Sequence, residues 1–256
     1  MVDDTPRKAA VIVNGFDPDS ESFKPRRHEV DATGFTTVLD ALINIKETMD
    51  NALSVRYSCR MGICGSCAMV INGKPMLACE TKVLDELGKK GEVAVEPMRG
   101  HPILRGLVTD FDDFFAKHKS LEPWLIRSDM GEKFSTDNAF ALTDAERDAF
   151  IPFAECIKCG LCVDACPVAN TNKKFKGPQA LAQAYRYFAD ARDQGGAHRL
   201  EIADTLEGAW GCEFAGSCSK VCPKGVDPAF AIQLLKSSIA MHGMGLDSKK
   251  KPTAER

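Results

Sequence analysis

A four-cysteine frame that occurs twice constrains this chain more than any other feature. Each copy follows the pattern C-x2-C-x2-C-x3-C-P, and the copies begin 56 residues apart, although alanine replaces the second cysteine of the second copy. The copies consist of Cys156, Cys159, Cys162, Cys166 and Pro167, and of Cys212, Ala215, Cys218, Cys222 and Pro223. The chain has 11 cysteines, an odd number, so they cannot all pair as disulfides. Such a repeated frame predicts metal or redox chemistry.

The spacing of this frame is that of two-cluster bacterial ferredoxins, in which three neighbouring thiolates bind one cluster and the fourth reaches the other. The thiolates predicted to bind a [4Fe-4S] cluster are Cys156, Cys159, Cys162 and Cys222. Because Ala215 has no thiolate, the second set keeps three members, Cys166, Cys212 and Cys218, which suit a [3Fe-4S] cluster. The alternative, a helical domain whose cysteines are merely small buried side chains, leaves the repeated frame unexplained.

A different cysteine pattern lies nearer the N-terminus. Its members are Cys59, Cys64, Cys67 and Cys79, with the C-x4-C-x2-C…C spacing of plant-type [2Fe-2S] ferredoxins. The small residues Gly62, Gly65 and Ser66 allow the loop to fold closely around two irons and to donate N–H groups to the sulfurs. A structural zinc site would also use four thiolates, but zinc ribbons usually show two C-x2-C pairs. We therefore predict a [2Fe-2S] cluster here.

The segments around this second pattern predict a β-grasp domain. Strands are expected over residues 8–15 and 92–96, with a second extended segment over 23–30 and a helix that begins after Thr36 or Thr37. Between Cys67 and Cys79, the pair Asn72-Gly73 predicts a hairpin with a two-residue turn. The hairpin would bring the fourth cysteine back to the loop.

The rest of the chain is predicted to be helical. Expected features are a long element over 104–118, a capping box at Thr143–Glu146, helices from Gly177 and over 199–207, a last helix after Asp227-Pro228, and a frayed tail over 249–256. Pro97 and Gly100 mark a boundary, so we expect residues 1–105 and 106–256 to form separate domains. The predicted fold class is α+β, with a β-grasp [2Fe-2S] ferredoxin domain followed by an all-α two-cluster domain.

The composition excludes several other classes of protein. The chain has 256 residues, of which 44% are hydrophobic and 27% charged, and its net charge of -3 lacks the basic excess expected for nucleic-acid binding. No apolar run approaches the roughly 18 residues of a transmembrane helix. No apolar stretch follows the charged N-terminus or Arg26-Arg27, so no export signal is predicted. The reducing cytosol is therefore the expected compartment.

Few other motifs suggest chemistry. The sequence has no G-x-G-x-x-G fingerprint, P-loop or H-E-x-x-H motif, and its five histidines are scattered. Trp210, two residues before Cys212, is expected to shield a cluster from water rather than to line a quinone pocket. The chain is therefore predicted to carry electrons without binding a nucleotide or an organic substrate.

Together these motifs resemble the iron-sulfur subunits of succinate dehydrogenase and quinol:fumarate reductase, the respiratory complex II family. The most specific segments are Ser58–Ala68, the paired Cys-Pro motifs and Cys222–Pro228, and the resemblance extends from Ala10 to Ala240. It implies an FAD-containing flavoprotein partner beside the [2Fe-2S] cluster and a membrane-anchor subunit that binds quinone beside the [3Fe-4S] cluster. It also implies a peripheral location on the cytoplasmic side of the bacterial plasma membrane.

The resemblance is incomplete at the quinone site. Ubiquinone-reducing members of this family carry tryptophan shortly after the first Cys-Pro and histidine after the first cysteine of the second frame, where this chain has Ala169–Thr171 and Glu213. We therefore name no quinone ligands and leave the choice between ubiquinone and menaquinone open. The expected role is electron transfer in succinate oxidation, as in the tricarboxylic acid cycle.

Three alternative functions remain at this point. The same subunit would serve a quinol:fumarate reductase, because the chain of clusters conducts in both directions. A related subunit could serve another flavoprotein, such as a thiol-driven fumarate reductase or a glycolate oxidase. A free soluble carrier is a different class of function, but three clusters of different type suit a fixed relay better than a shuttle.

Overall fold

A computed structural model of the chain describes residues 5–128 and 141–246. Its N-terminal part consists of strands β1 (Arg7–Asp17) and β2 (Ser22–Ala32), helix α1 (Val38–Thr48), and strands β3 (Ala68–Ile71), β4 (Lys74–Leu77) and β5 (Glu92–Glu96). The strands form one sheet in the order β2-β1-β5-β3-β4. Within this sheet, β1 and β5 run parallel and the other neighbouring strands run antiparallel. This arrangement confirms the predicted strands and the predicted hairpin.

Local chemistry explains the first turns of this domain. Asn72 and Gly73 both have positive φ angles, 48° and 76°, as the two-residue turn between β3 and β4 requires. Thr37 caps α1: its hydroxyl accepts a hydrogen bond from the Asp40 N–H, and the Asp40 side chain accepts one from the Thr37 N–H. The buried face of α1, which includes Leu39 and Leu42, packs on the sheet in the first hydrophobic core.

Both outer strands of the sheet contain a proline. Pro25 lies in β2 opposite Asn14, and Pro75 lies in β4 opposite Val70. Proline lacks a backbone N–H donor, so it is tolerated in a sheet mainly on edge strands. Charged residues flank Pro25, including Lys24 and Arg26. The two edges of the sheet are therefore poor templates for adding another strand.

The predicted long element over 104–118 is wrong. The chain instead forms a hairpin of β6 (Ile103–Arg105) and β7 (Val108–Thr109), followed by the short helix α2 (Asp112–Lys119). Gly106 interrupts the element because it adopts a positive φ of 58° and exchanges two backbone hydrogen bonds with Phe16. The hairpin therefore joins the first domain, where Leu107 is buried in the core.

Helices dominate the described part of the chain from Ala141 onward. They are α3 (Asp144–Asp148), α4 (Ile151–Ala154), α5 (Leu161–Asp164), α6 (Pro167–Thr171), α7 (Pro178–Ala189), α8 (Gly196–Ala203), α9 (Ser217–Lys220) and α10 (Pro228–Gly243). The helices α7 and α10 pack against each other, and residues such as Leu181 and Ile232 form a second hydrophobic core between them. Fold class α+β is thus confirmed.

The caps of these helices agree with the sequence in most places. The capping box of Thr143 and Glu146 is present, and Asp227 caps α10 by accepting a hydrogen bond from Phe230 N–H at 2.8 Å. The helix predicted over 199–207 is displaced toward the N-terminus, because Gly196 begins it and Asp204 already leaves the helical conformation. The predicted tail over 249–256 lies outside the described residues. None of the described helices has the length and apolar character needed to cross a bilayer.

Candidate iron-sulfur cluster sites

The loop from Cys59 to Cys67 turns its backbone N–H groups toward cysteine sulfurs. The Sγ atom of Cys59 accepts hydrogen bonds from the N–H groups of Cys64 at 3.2 Å and Ile63 at 3.3 Å. The Sγ atom of Cys79 accepts one from Gly62 at 3.2 Å. Donors placed in this way stabilise thiolate charge. The loop is therefore prepared to hold negatively charged sulfur ligands.

Two glycines make this loop possible. Gly62 and Gly65 have φ angles of 68° and 74°, which side chains rarely adopt. A Cβ atom at Gly62 would meet only the flexible carboxylate end of Glu80, which can move away. A Cβ atom at Gly65 would lie 2.8 Å from Cβ of Cys159 and 2.9 Å from its Cα, so this position has no room for a side chain. The close approach at Gly65 joins the loop to the helical domain.

The thiols of this loop differ in acidity for physical reasons. Burial raises the pKa of Cys64, but hydrogen bonds from Ser66 and Cys59 outweigh that effect and lower the pKa to about 6. Burial raises the pKa of Cys67 to about 12. Iron binding requires thiolates, so a cluster bound here would have to displace the proton of Cys67 and compensate its buried charge. The thiols of this loop and the N–H groups that donate to them therefore fit a cluster whose positively charged irons offset the thiolate charge.

Four cysteines from both copies of the frame line one cavity in the helical domain. They are Cys156, Cys159, Cys162 and Cys222, the set predicted for the [4Fe-4S] cluster. Burial raises the pKa of Cys159 to about 11, and it raises the pKa of Cys162 well above its usual range. A thiolate buried this deeply is unfavourable unless a bound metal neutralises its negative charge. The cavity therefore fits a thiolate-bound cluster.

The other three cysteines of the frame line a second cavity. Cys166, Cys212 and Cys218 are joined there by Ala215, in the position where the first copy has a cysteine. Glu213 and Phe214 also line this cavity, and all three residues from 213 to 215 are exposed. The side without a thiol is thus the side that faces outward. Burial raises the pKa of Cys166 and Cys218, as at the first cavity.

The two copies of the frame have the same backbone conformation as well as the same spacing. Lys158 and Phe214 occupy equivalent positions, and both adopt left-handed conformations with φ angles of 56° and 57°. Gly160 and Gly216 follow, also with positive φ, and each begins a four-residue helix, α5 or α9. A left-handed conformation is uncommon for non-glycine residues. The conformation therefore belongs to the frame rather than to either side chain.

Several contacts join the sites across the two domains. Besides the approach of Gly65 to Cys159, Nζ of Lys224 lies 3.6 Å from the carboxylate of Glu80. Lys224 follows the Cys-Pro pair of the second copy, and Glu80 follows Cys79. These contacts bring the loop from Cys59 to Cys67 directly against the first cavity. Sequence reasoning missed them, because no local pattern identifies which glycine meets which cysteine.

Trp210 does not lie where a cluster shield was expected. It is absent from the residues that line the second cavity, its side chain is 44% exposed, and its indole N–H donates to the Asp204 carboxylate at 2.5 Å. Gln179, by contrast, lines the first cavity although no sequence pattern singled it out. Its only local signal is its position after Gly177-Pro178, which marks a helix start and nothing about a cluster.

The fold and these cavities define a class of protein, the multi-cluster iron-sulfur proteins of electron transfer. The family model described as a 2Fe-2S iron-sulfur cluster binding domain matches residues 10–116. The model described as a 4Fe-4S dicluster domain matches residues 152–226. Both cofactor classes and the two-domain order predicted from the cysteine spacings are thereby confirmed.

The relatives identify the particular family. The fumarate reductase iron-sulfur subunit of Mycobacterium tuberculosis is 48% identical over 233 residues, which cover 91% of this chain and 93% of the relative. That of Escherichia coli is 42% identical over 208 residues, which cover 80% of this chain and 82% of the relative. The chain belongs to the iron-sulfur subunits of the fumarate reductase and succinate dehydrogenase family, as its motifs predicted.

A solved structure has the same fold. In the Mycobacterium smegmatis Sdh1 complex in the apo form, one chain superposes with a TM-score of 0.82, covering 98% of this chain and all of that one. The sequence identity is 24%, so this match supports the fold alone. The role of the chain is electron transfer as a subunit of an oxidoreductase complex, as its family shows.

Proposed function

We propose that this chain relays electrons between the flavin of a flavoprotein subunit and a quinone at a membrane-anchor subunit. The residues that would bind the clusters are Cys59, Cys64, Cys67 and Cys79 for [2Fe-2S], Cys156, Cys159, Cys162 and Cys222 for [4Fe-4S], and Cys166, Cys212 and Cys218 for [3Fe-4S]. When bound, the clusters supply a series of one-electron carriers. The protein supplies the thiolates, the N–H donors and the exclusion of water.

One observation carries the proposal: Cys222 lines the cavity of the first copy of the frame, not that of its own copy. The exchange of the fourth cysteine is the hallmark of two-cluster ferredoxins. It leaves three thiols at the second cavity and an exposed alanine where the fourth would be. This arrangement supports the [3Fe-4S] assignment, because Ala215 has no atom that binds iron.

The proposal extends to domains and location. We divide the chain into the two units expected from the sequence, 1–105 and 106–256. The second hydrophobic core lies wholly in the helical unit, whereas the first core also includes Cys159 and Leu161 of that unit. The burial of Leu107 in the first core favours a boundary after the β6–β7 hairpin. Peripheral attachment to the cytoplasmic side of a bacterial membrane follows from the proposed anchor subunit.

The direction of electron flow has two candidates. We propose succinate oxidation, as expected from the sequence, with fumarate reduction as the second candidate because the relatives above are named for it. Both rates should be measured on the intact complex with ubiquinone and menaquinone analogues. A dominant fumarate rate with menaquinol would reverse our assignment of direction and leave the relay itself intact.

Metal analysis tests the cluster assignment directly. Purified protein should contain about nine irons per chain and no stoichiometric zinc, from the three cluster types proposed. EPR of the oxidised protein should show the near-isotropic signal of a three-iron cluster. One or two zinc ions per chain in place of iron would exclude the proposed relay.

A further inference from the structure

Helix α5 contributes to the first cavity but packs in the core of the other domain. Its first residue, Leu161, is fully buried and belongs to the first hydrophobic core, which also contains Cys67 and Cys79. The next residue, Cys162, lines the first cavity. Neighbouring residues of one helix therefore contact the two regions, so a shift of α5 against the first domain would change the distance between the first two cluster sites.

The segment that connects the domains contacts both ends of α5. At the C-terminal end, the Gly100 N–H donates a hydrogen bond to Oδ1 of Asp164 at 2.7 Å. At the N-terminal end, Nε2 of His101 lies 3.4 Å from the carbonyl oxygen of Gly160. The ring of His101 is buried and stacks on Phe111, with 4.6 Å between the ring centroids. Two consecutive residues of the connecting segment thus hold the helix from end to end.

Both contacts are too close to admit a side chain. A Cβ atom at Gly160 would lie 2.8 Å from Nε2 of His101. A Cβ atom at Gly100 would lie 2.8 Å from Cα of Asp164, a backbone atom that cannot rotate away. Gly160 also has a positive φ angle, whereas Gly100 does not. Glycine is therefore required at position 100 by the close approach of α5 and not by the backbone conformation.

We infer that Gly100 and Asp164 are positioning residues of the electron relay, which set the distance between the [2Fe-2S] and [4Fe-4S] centres by holding α5 against the first domain. The inference rests on the proposed function, since it requires both centres. The step moves one electron, so that one centre is oxidised as the other is reduced, and no bond forms or breaks. Electron transfer slows steeply as its centres move apart, so a small displacement caused by remote residues is enough to slow this step.

Gly100→Ala in the intact complex tests the inference. The new methyl group would meet the backbone of α5, so the helix and the connecting segment must move apart. Both centres are paramagnetic when reduced, and the magnetic interaction between them weakens steeply with distance. We expect a weaker interaction in EPR of the fully reduced variant, and slower electron transfer between the two centres in rapid-freeze experiments. The iron content should match the wild type.

Gly88→Ala is the matched control. Gly88 also lacks a positive φ angle, and the nearest atom to its added Cβ would be the Glu92 carbonyl oxygen at 3.5 Å, an ordinary contact. This variant should keep the wild-type magnetic interaction and the wild-type transfer rate. If Gly100→Ala retains both centres and also matches the wild type, the connecting segment does not set their distance and the inference is wrong.

Two substitutions at Asp164 test the hydrogen bond apart from the steric contact. Asp164→Ala removes the acceptor of the Gly100 N–H, and losing a bond to a charged acceptor should speed hydrogen exchange of that amide by about tenfold. The magnetic interaction should weaken as well. Asp164→Asn keeps an oxygen that can accept the same bond, so it should restore both measurements toward the wild type. Equal behaviour of the two variants would overturn the role inferred for Asp164.

A further measurement needs no variant. In hydrogen exchange of the intact wild-type complex, read by mass spectrometry, the Gly100 amide should be as well protected as the Ala165 amide, which donates to the Leu161 carbonyl of α5. Fast exchange at Gly100 alone would show that the contact is open in solution and would overturn the inference. A wild-type protein that lacks either centre would instead overturn the proposed function, so the two failures are distinguishable.

Discussion

The second cavity differs from the first mainly by one missing sulfur atom, at Ala215. We expect Ala215→Cys to convert this centre to [4Fe-4S], because the new thiol would extend from a backbone position equivalent to that of Cys159. Iron content should rise by about one per chain. The EPR signal of the oxidised three-iron cluster should disappear. The lower reduction potential of the centre should slow quinone reduction, whereas artificial dyes that take electrons near the flavin should be reduced at the wild-type rate.

A control for this substitution is Ala116→Cys, which adds an exposed thiol on α2 outside both cavities. Its iron content and EPR signal should match the wild type. An unchanged three-iron signal in Ala215→Cys would mean that residue 215 does not face the open corner and that the ligand sets are misassigned.

Gly65 offers a second prediction at the scale of single residues. Alanine at any left-handed position costs about 1–2 kcal/mol, and at Gly65 the new methyl group would also collide with Cys159. Overpacking of that kind adds about 1–3 kcal/mol. We expect Gly65→Ala to lower the melting temperature and to reduce the [2Fe-2S] absorbance of the purified protein.

Gly73→Ala is the matched control, because Gly73 has a φ of 76° but nothing within 4 Å of its absent side chain. This variant should lose only the free energy that alanine costs in a left-handed conformation, and it should keep its full cluster content. If both variants behave alike, the contact between the loop and Cys159 does not contribute to stability, and the two domains are less closely joined than the structure indicates.

At the scale of elements, the start of α10 is tied to the second copy of the frame. Asp227 accepts hydrogen bonds from the Phe230 N–H and from the Ser219 hydroxyl, and Ser219 lies between Cys218 and Cys222. Losing a helix cap costs about 1 kcal/mol. We expect Asp227→Ala to lower the free energy of unfolding by that amount. It should also retain less iron, because α9 loses the hydrogen bond from Ser219 to Asp227.

Thr143→Ala removes a cap of the same kind from α3, which contributes no residue to either cavity. It should cost a similar free energy of unfolding and leave the iron content unchanged. Chemical denaturation and iron analysis of both variants would separate the two effects. Equal iron retention would show that the link between Asp227 and Ser219 has no role in holding α9.

For the whole molecule, the clusters are expected to contribute to folding as well as to conduct electrons. Thiolate ligation organises loops that have few other contacts, so removing the metal should cost structure. After chelation under anaerobic conditions, we expect amide protection to vanish around the cysteine loops and to persist in β1, β5 and α1, which share the first core. Equal amide protection in the cysteine loops and in β1, β5 and α1 of the apo-protein would contradict this expectation.

The sequence predicts those parts of the molecule that depend on local chemistry. The Asn72-Gly73 hairpin, the strand at 92–96 and the caps at Thr37, Thr143 and Asp227 follow from neighbouring residues alone. The grouping of cysteines around two cavities also follows from their spacing, because the frame repeats, while the binding of iron to those residues stays a prediction.

What the sequence could not predict depends on distant partners. Gly106 breaks the element over 104–118 because Phe16 and Ser54 lie against it, and the contact between Gln179 and His118 joins residues 61 positions apart. Spacing carries no information about such pairs. The contact between Gly65 and Cys159 is of the same kind, because it joins two domains with independent local patterns.

The prolines in β2 and β4 matter before the complex exists. A newly synthesised subunit must remain dispersed in the cell until clusters are inserted and partner subunits arrive. Exposed strand edges would let such copies pair with one another and precipitate, whereas Pro25 and Pro75 each leave a position in an outer strand that cannot donate a backbone hydrogen bond. The prolines thus make pairing between the sheet edges of two copies less favourable.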